Sequence, residues 1–235
     1  MTSEVDAARA TKPVKTLFGW LVFRRVSLPL SIRLARTRVR PSHVTAAGVF
    51  FGFAAAAMFA TGRYAFLVVG GVAAFLAKLL DAMDGEIARA KHLDTAAGYV
   101  ADGLSDRLRD TVVLAGLGVG ATRMGVAGAE VWTAAALTGY LAFFYVSAAT
   151  PSHWREMRDE SDLDEKHMFR VTAHVRLGAG DTLAVAVLVG AIAGRPWWPV
   201  MAVALGAPAA IALKVRRLFE ARPWERSESW APSRD

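Results

Sequence analysis

The chain has 235 residues, of which 54% are apolar and only 21% charged, with a mean hydropathy of +0.31; this balance excludes an ordinary soluble domain. A net charge of +7 and a pI near 10.1 raise nucleic acid as a partner, but no aromatic-interleaved basic patch or zinc-ligand spacing accompanies them. The cations flank apolar stretches instead, where anionic lipid head groups suit them better. Cysteine is absent, which rules out disulfides and thiol catalysis.

Residues 1–13 read as a disordered N-terminus. From Val14, the apolar positions Val14, Leu17, Phe18, Leu21 and Val22 recur at helical spacing beside Lys15, Arg24 and Arg25. That pattern predicts either an amphipathic helix lying in the membrane interface or an ordinary packed helix. The apolar run 17–23 is too short for a signal peptide and meets Arg24 and Arg25 rather than a small-residue cleavage site. Pro41 and Ser42 then mark the start of a longer apolar segment, since both residues commonly begin helices.

Six apolar stretches follow, roughly 44–61, 64–88, 96–122, 127–150, 173–194 and 196–217. Each is near the ~20 residues that cross a bilayer core, although the third and fifth carry polar residues in their first halves. The expected fold is all-α: a polytopic membrane domain of six transmembrane helices over 14–217, preceded by the interfacial helix. The segment 218–235 reads as a mobile cytoplasmic tail. The polar connector 152–170 reads as a cytoplasmic helical loop capping that face of the bundle or as a plain solvated linker. No internal repeat suggests a transporter made of two related halves.

Basic residues orient the spans. The connections after the first, third and fifth stretches hold only Arg63, Arg123 and Arg195, respectively. The opposite side holds Arg33, Arg36, Arg38 and Arg40, then Arg89, Lys91, Arg107 and Arg109, then Arg155, Arg158, Lys166 and Arg170, and finally Lys214, Arg216 and Arg217. Under the positive-inside rule, both termini and that second side face the cytoplasm.

On the same side lie four aspartates with fixed spacing: Asp81, Asp84, Asp102 and Asp106. On helices, Asp81 and Asp84 share a face, as do Gly98, Asp102 and Asp106. Carboxylates gathered near a membrane are costly without positive compensation, and a hard divalent cation with oxygen ligands supplies it. Gly85 and Gly98 leave room for a ligand against the helix backbones. Arg89 stands where a phosphate oxygen could be paired. Metal, arginine and a carboxylate base together point to transfer of a phosphate-linked group. A metal-ion transporter would want acids spread along a path rather than clustered at one mouth with Arg89 among them.

The run Asp81, Asp84, Gly85, Ala88, Arg89, Gly98, Asp102, Asp106 resembles the signature of the CDP-alcohol phosphotransferase family, with every fixed position present. Pro41 and Thr45 also match that family's pattern at the start of the first span, although Ser42 stands where members often carry Asn. The resemblance implies an enzyme that moves the phospho-alcohol part of a CDP-alcohol onto an acceptor hydroxyl and releases CMP. It implies Mg²⁺ or Mn²⁺, two ions in all, with Asp81, Asp84 and Asp102 as ligands and Asp106 as partial ligand or general base. Gly85, Ala88 and Gly98 would line the nucleotide slot, Arg89 would sit near the diphosphate, and Pro41 and Thr45 would contact the nucleotide. It further implies a homodimer in the cell membrane. The expected donor is CDP-diacylglycerol, and the acceptor inositol phosphate or glycerol phosphate. CDP-inositol-dependent inositol-phosphate diester synthesis and cardiolipin synthesis are the alternatives within the family. Arg107, Arg155, Arg158 and Arg176 are candidates for an anion pocket that takes the acceptor; alternatively, Arg176 pairs with Asp181 or another carboxylate.

Overall fold

The computed structural model describes residues 16–149, 168–170 and 176–220. A π-helical turn, Gly19–Phe23, runs into α1, Arg24–Ala35. Four long helices follow: α2, Pro41–Ala60; α3, Tyr64–Ala90; α4, Ala96–Arg123; and α5, Ala129–Ala149. Two short strands, β1 (Met168–Arg170) and β2 (Arg176–Gly178), pair antiparallel and lead into α6, Ala179–Ile192, and α7, Trp197–Glu220. Residues 1–15, 150–167, 171–175 and 221–235 lie outside the described residues, and with them the expected disordered N-terminus, most of the polar connector 152–170 and nearly all of the expected tail.

Among the described residues, four helices are long and apolar enough to cross a membrane: α2, α3, α5 and α7. The remaining two expected spans differ in kind. Helix α4 has the length, at 28 residues, but its N-terminal part carries Asp102, Asp106, Arg107, Arg109 and Asp110. Helix α6 begins only at Ala179 and has 14 residues, a rise of about 21 Å at ~1.5 Å per residue, short of the ~30 Å hydrocarbon core. The expected start near 173 is therefore too early. Gly178 is extended, with φ −77° and ψ 134°, and the β2 backbone, Arg176 included, pairs with β1 instead of joining the helix. Gly178, just before the helix, is a poor helix former, which favours the late start.

Pro41 occupies the first turn of α2, where its missing N–H costs nothing. The turns after α2, α4 and α6 contain Gly62 (φ +68°), Gly125 (φ +75°) and Gly194 (φ +66°), left-handed positions that suit glycine. These turns share one end of the bundle. There Arg123 Nη1 donates to the Ala60 carbonyl at 2.7 Å and Tyr64 Oη to the Ile192 carbonyl at 3.0 Å. They are the three connections with a single arginine each, so the aspartates occupy the opposite end.

Helices α2 and α4 approach backbone to backbone. A Cβ at Gly116 would stand 2.4 Å from the Ala56 carbonyl oxygen, and one at Gly120 would stand 2.2 Å from that of Phe59. Small residues at such a crossing are how helices pack tightly where lipid removes most of the hydrophobic gradient. Phe59, Leu67, Leu114 and Leu117 fill the centre. A second cluster, Phe23, Val44, Leu79, Met83 and Ile87, with Leu34 of α1 packed against it, fastens the π-helical turn and α1 to α3 at the aspartate end. Helix α1 buries Ser27 and Ser31 while Leu21, Val26 and Leu30 of this segment stay exposed, an arrangement suited to an interfacial helix docked on the bundle.

Candidate active site

Helical spacing pairs each half of the aspartate motif with a cation on its own helix. Lys78 precedes Asp81 by three residues, and Arg109 follows Asp106 by three, so each pair faces the same way. Lys78 Nζ donates to Asp81 Oδ2 at 2.5 Å. Arg109 does more: its Nη1 lies 3.2 Å from Asp81 Oδ1, and its Nη2 pairs with Asp106 Oδ1. One guanidinium thus joins α3 to α4 through two carboxylates, using the rigid fork that lysine lacks.

Arg109 is buried, and its neighbours explain how. Its stem runs across Gly52 of α2, where a Cβ would stand 2.3 Å from Arg109 Cγ. Its Nε lies 3.6 Å from Asp110 Oδ1, and the Tyr140 hydroxyl of α5 donates to Asp110 Oδ2 at 2.6 Å. Lys78 rests against Gly180, at the start of α6, where a Cβ would be 3.4 Å from Nζ. Charge at this depth is tolerated only when paired, and these contacts pair it.

Asp84 has a different setting. Only 5% exposed, it accepts a hydrogen bond from the Thr45 hydroxyl at 2.6 Å, and no cationic side chain among the described residues reaches it. Thr45 Oγ1 also lies 3.1 Å from the Pro41 carbonyl, but a hydroxyl has one proton and the shorter contact is to Asp84. Lys91, just beyond α3, donates to the carbonyls of Thr37 (2.8 Å) and Val39 (2.5 Å). That clamp ties the connector before Pro41 to the end of α3 and so holds Thr45 over Asp84. Asp102, one turn before Asp106, is partly buried and makes no hydrogen bond or ion pair among the described residues.

The remaining candidates divide. At Gly85 the absent side chain is used by Arg89: a Cβ there would lie 3.2 Å from Arg89 Nη1, so the guanidinium folds back along its own helix. Ala88 lies partly buried between them in sequence. Gly98 is exposed in the first turn of α4, its N–H donating to the Thr95 cap at 3.0 Å. Arg107 stacks over Phe144, its Cζ 3.4 Å from the ring centroid, with Nη1 3.8 Å from Asp106 Oδ2. Arg155 and Arg158 lie outside the described residues, as does the side chain of Arg176. Asp181 accepts from the Thr16 hydroxyl at 2.7 Å.

Sequence reasoning missed Lys78, Asp110, Tyr140 and Gly52 as parts of this end, and counted Arg109 only toward topology. The i, i+3 spacing of Lys78 to Asp81 and of Asp106 to Arg109 was the available signal. The contributions of Gly52 and Tyr140 come from other helices and leave none.

The donor set here suits a hard divalent cation. All four motif side chains offer carboxylate oxygen, and Asp84 and Asp102 have no cationic partner among the described residues. Asp81 and Asp106 turn their oxygens to Lys78 and Arg109, and among the described residues no three His, Cys, Asp or Glu side chains are gathered as a ready ligand group.

Comparison with known proteins gives the family of the chain. The family model described as CDP-alcohol phosphatidyltransferase matches residues 38–159, just over half of the chain and all of the aspartate motif, so the chain belongs to that family. Its long apolar helices mark it as a membrane protein. Among its relatives is a phosphatidylinositol phosphate synthase of Mycobacteroides abscessus, 38% identical over 96 residues, which cover 40% of this chain and 42% of that protein. Another is a bifunctional IPC transferase and DIPP synthase of Rubrobacter xylanophilus, 35% identical over 95 residues, covering 40% of this chain and 21% of that protein. The chain therefore matches less than half the length of each of these relatives.

Proposed function

We propose that the protein transfers the phosphatidyl group of CDP-diacylglycerol to the hydroxyl of a phosphorylated polyol, inositol phosphate in the first instance, with release of CMP. The observation that carries this is the meeting of Thr45, Asp81, Asp84 and Asp106 from three helices at one end of the bundle. The match to a phosphatidylinositol phosphate synthase supports the choice of acceptor.

In this scheme the acceptor hydroxyl attacks the β-phosphorus, the bond from that phosphorus to the bridging oxygen breaks, and CMP departs with the electron pair. Asp106 accepts the hydroxyl proton. Thr45 and Pro41 sit against the nucleotide, Gly85, Ala88 and Gly98 line its slot, and Arg89 pairs with the diphosphate. Mg²⁺ or Mn²⁺ held by Asp84 and Asp102, with Asp81 and Asp106 completing the set, would neutralise the diphosphate charge. Arg107, together with Arg155, Arg158 and Arg176, receives the acceptor's phosphate. The membrane domain spans 14–217 and works as a homodimer, its aspartate end and both termini in the cytoplasm beside anionic lipids.

The test is an acceptor screen with purified protein. CDP-diacylglycerol or CDP-inositol is offered with inositol phosphate, inositol, glycerol phosphate, serine or phosphatidylglycerol, and CMP release is measured. CMP is expected from CDP-diacylglycerol with inositol phosphate. Release from no pair would rule out the activity, and ion flux instead of CMP would favour a transporter. The similarity to a DIPP synthase supports one second reading, a CDP-inositol donor, which the same screen separates.

A further inference from the structure

The geometry points to Arg109, steadied by Asp110 and Tyr140, as the positioning residue that sets Asp81 and Asp106 relative to each other. This rests on the phosphotransfer function proposed above. Asp81 belongs to α3 and Asp106 to α4, and a chemical step that uses both requires the two helices in fixed relation. Catalytic groups lose much of their effect when misplaced by an ångström or so. Among the described residues, Arg109 is the side chain that pairs with both carboxylates, and each contact comes from a different terminal nitrogen of the same fork.

Arg109 is itself held by Gly52 and Asp110, with Tyr140 behind Asp110. Gly52 of α2 admits its stem, Asp110 lies 3.6 Å from Nε, and Tyr140 of α5 donates to the far oxygen of Asp110 at 2.6 Å. The chain Tyr140–Asp110–Arg109 thus runs from α5 through α4 to the paired aspartates. Neither Tyr140 nor Asp110 belongs to the motif. A role limited to neutralising buried charge needs only a cation at 109 and gives Tyr140 no function. Positioning needs the fork and its support.

Four variants decide between these. Tyr140→Phe and Asp110→Asn each lower kcat about tenfold, with KM for the CDP-alcohol within about twofold, the lower end of the loss seen when groups behind a ligand are removed. Arg109→Lys keeps the charge but not the fork and loses about a hundredfold, the upper end of that range. Tyr64→Phe removes a comparable hydroxyl contact at the opposite end and leaves kcat unchanged. All rates are normalised to folded protein by size-exclusion profile. Wild-type kcat in Tyr140→Phe and Asp110→Asn, or in Arg109→Lys, would overturn the assignment, as would losses fully explained by the folded fraction. If the wild-type protein releases no CMP, the activity assignment fails, and Mn²⁺ titration by electron paramagnetic resonance decides positioning separately. Binding at least tenfold weaker in Arg109→Lys and Tyr140→Phe supports it. Equal affinity in all variants, or no Mn²⁺ binding by the wild type, refutes it.

Discussion

The Thr45 hydroxyl of α2 donates to Asp84 Oδ2 of α3 at 2.6 Å, joining residues 39 apart in sequence. Thr45 thereby fixes the orientation of a buried carboxylate as well as standing at the proposed nucleotide slot. A hydrogen bond to an ionised group is worth about 1.5–3 kcal/mol, or roughly one to two decades in rate. Thr45→Val is therefore expected to lower kcat/KM for CMP release about 10- to 100-fold, with Thr45→Ser recovering most of it. Full activity in the Thr45→Val protein would mean that Asp84 needs no such partner.

Asp106→Asn retains the shape of the side chain and one oxygen for Arg109 but removes the proton acceptor. General-base contributions of about 10²–10⁴ set the expected fall in turnover. Binding of the CDP-alcohol, followed by isothermal calorimetry in detergent, is expected to stay within a few-fold of wild type. Retained turnover would assign the base elsewhere.

Chelation is expected to abolish CMP release, and Mg²⁺ or Mn²⁺ to restore it, because Asp84 and Asp102 offer carboxylate oxygen with no cationic side chain among the described residues paired to them. Activity that persists in excess EDTA, after dialysis, would show that the cationic side chains suffice.

Two glycines on facing helices separate packing from chemistry. At Gly120, a methyl would meet the Phe59 carbonyl at 2.2 Å, far from the aspartates. Overpacking of this kind costs about 1–3 kcal/mol, so Gly120→Ala is expected to lower the thermal midpoint while sparing the rate per folded molecule. Gly52→Ala pushes instead on the Arg109 stem and is expected to lower that rate. Thermal scans alongside CMP assays read both, and equal behaviour of the two variants would contradict the distinction.

The long helices were legible because their residues leave few alternatives. Uninterrupted apolar segments such as 44–61 can satisfy their backbone in lipid only as helices, and Pro41, Gly62 and Gly194 punctuate them where such residues belong. The late start of α6 was less legible, because 173–194 is apolar on average while Gly178 and the backbone pairing of Arg176 with Arg170 decide where the helix begins. The motif was fully legible as a set of acids and glycines. Its wiring was not: the Gly85 space that invites a ligand holds Arg89, and Asp81 and Asp84, neighbours on one helix, face different partners.

By itself, then, the sequence determined a membrane domain of long helices, the chemistry of the four aspartates and their place opposite the single-arginine turns. These follow from composition, helical period and charge count, all local along the chain. Only the tertiary structure decided that Arg109 spans Asp81 and Asp106, that Thr45 serves Asp84, and that Gly52 and Tyr140 support the site from other helices. Those contacts depend on how α2, α3, α4 and α5 cross, and the α2–α4 crossing is set by close-packed backbones at Gly116 and Gly120, which no spacing within one helix reveals.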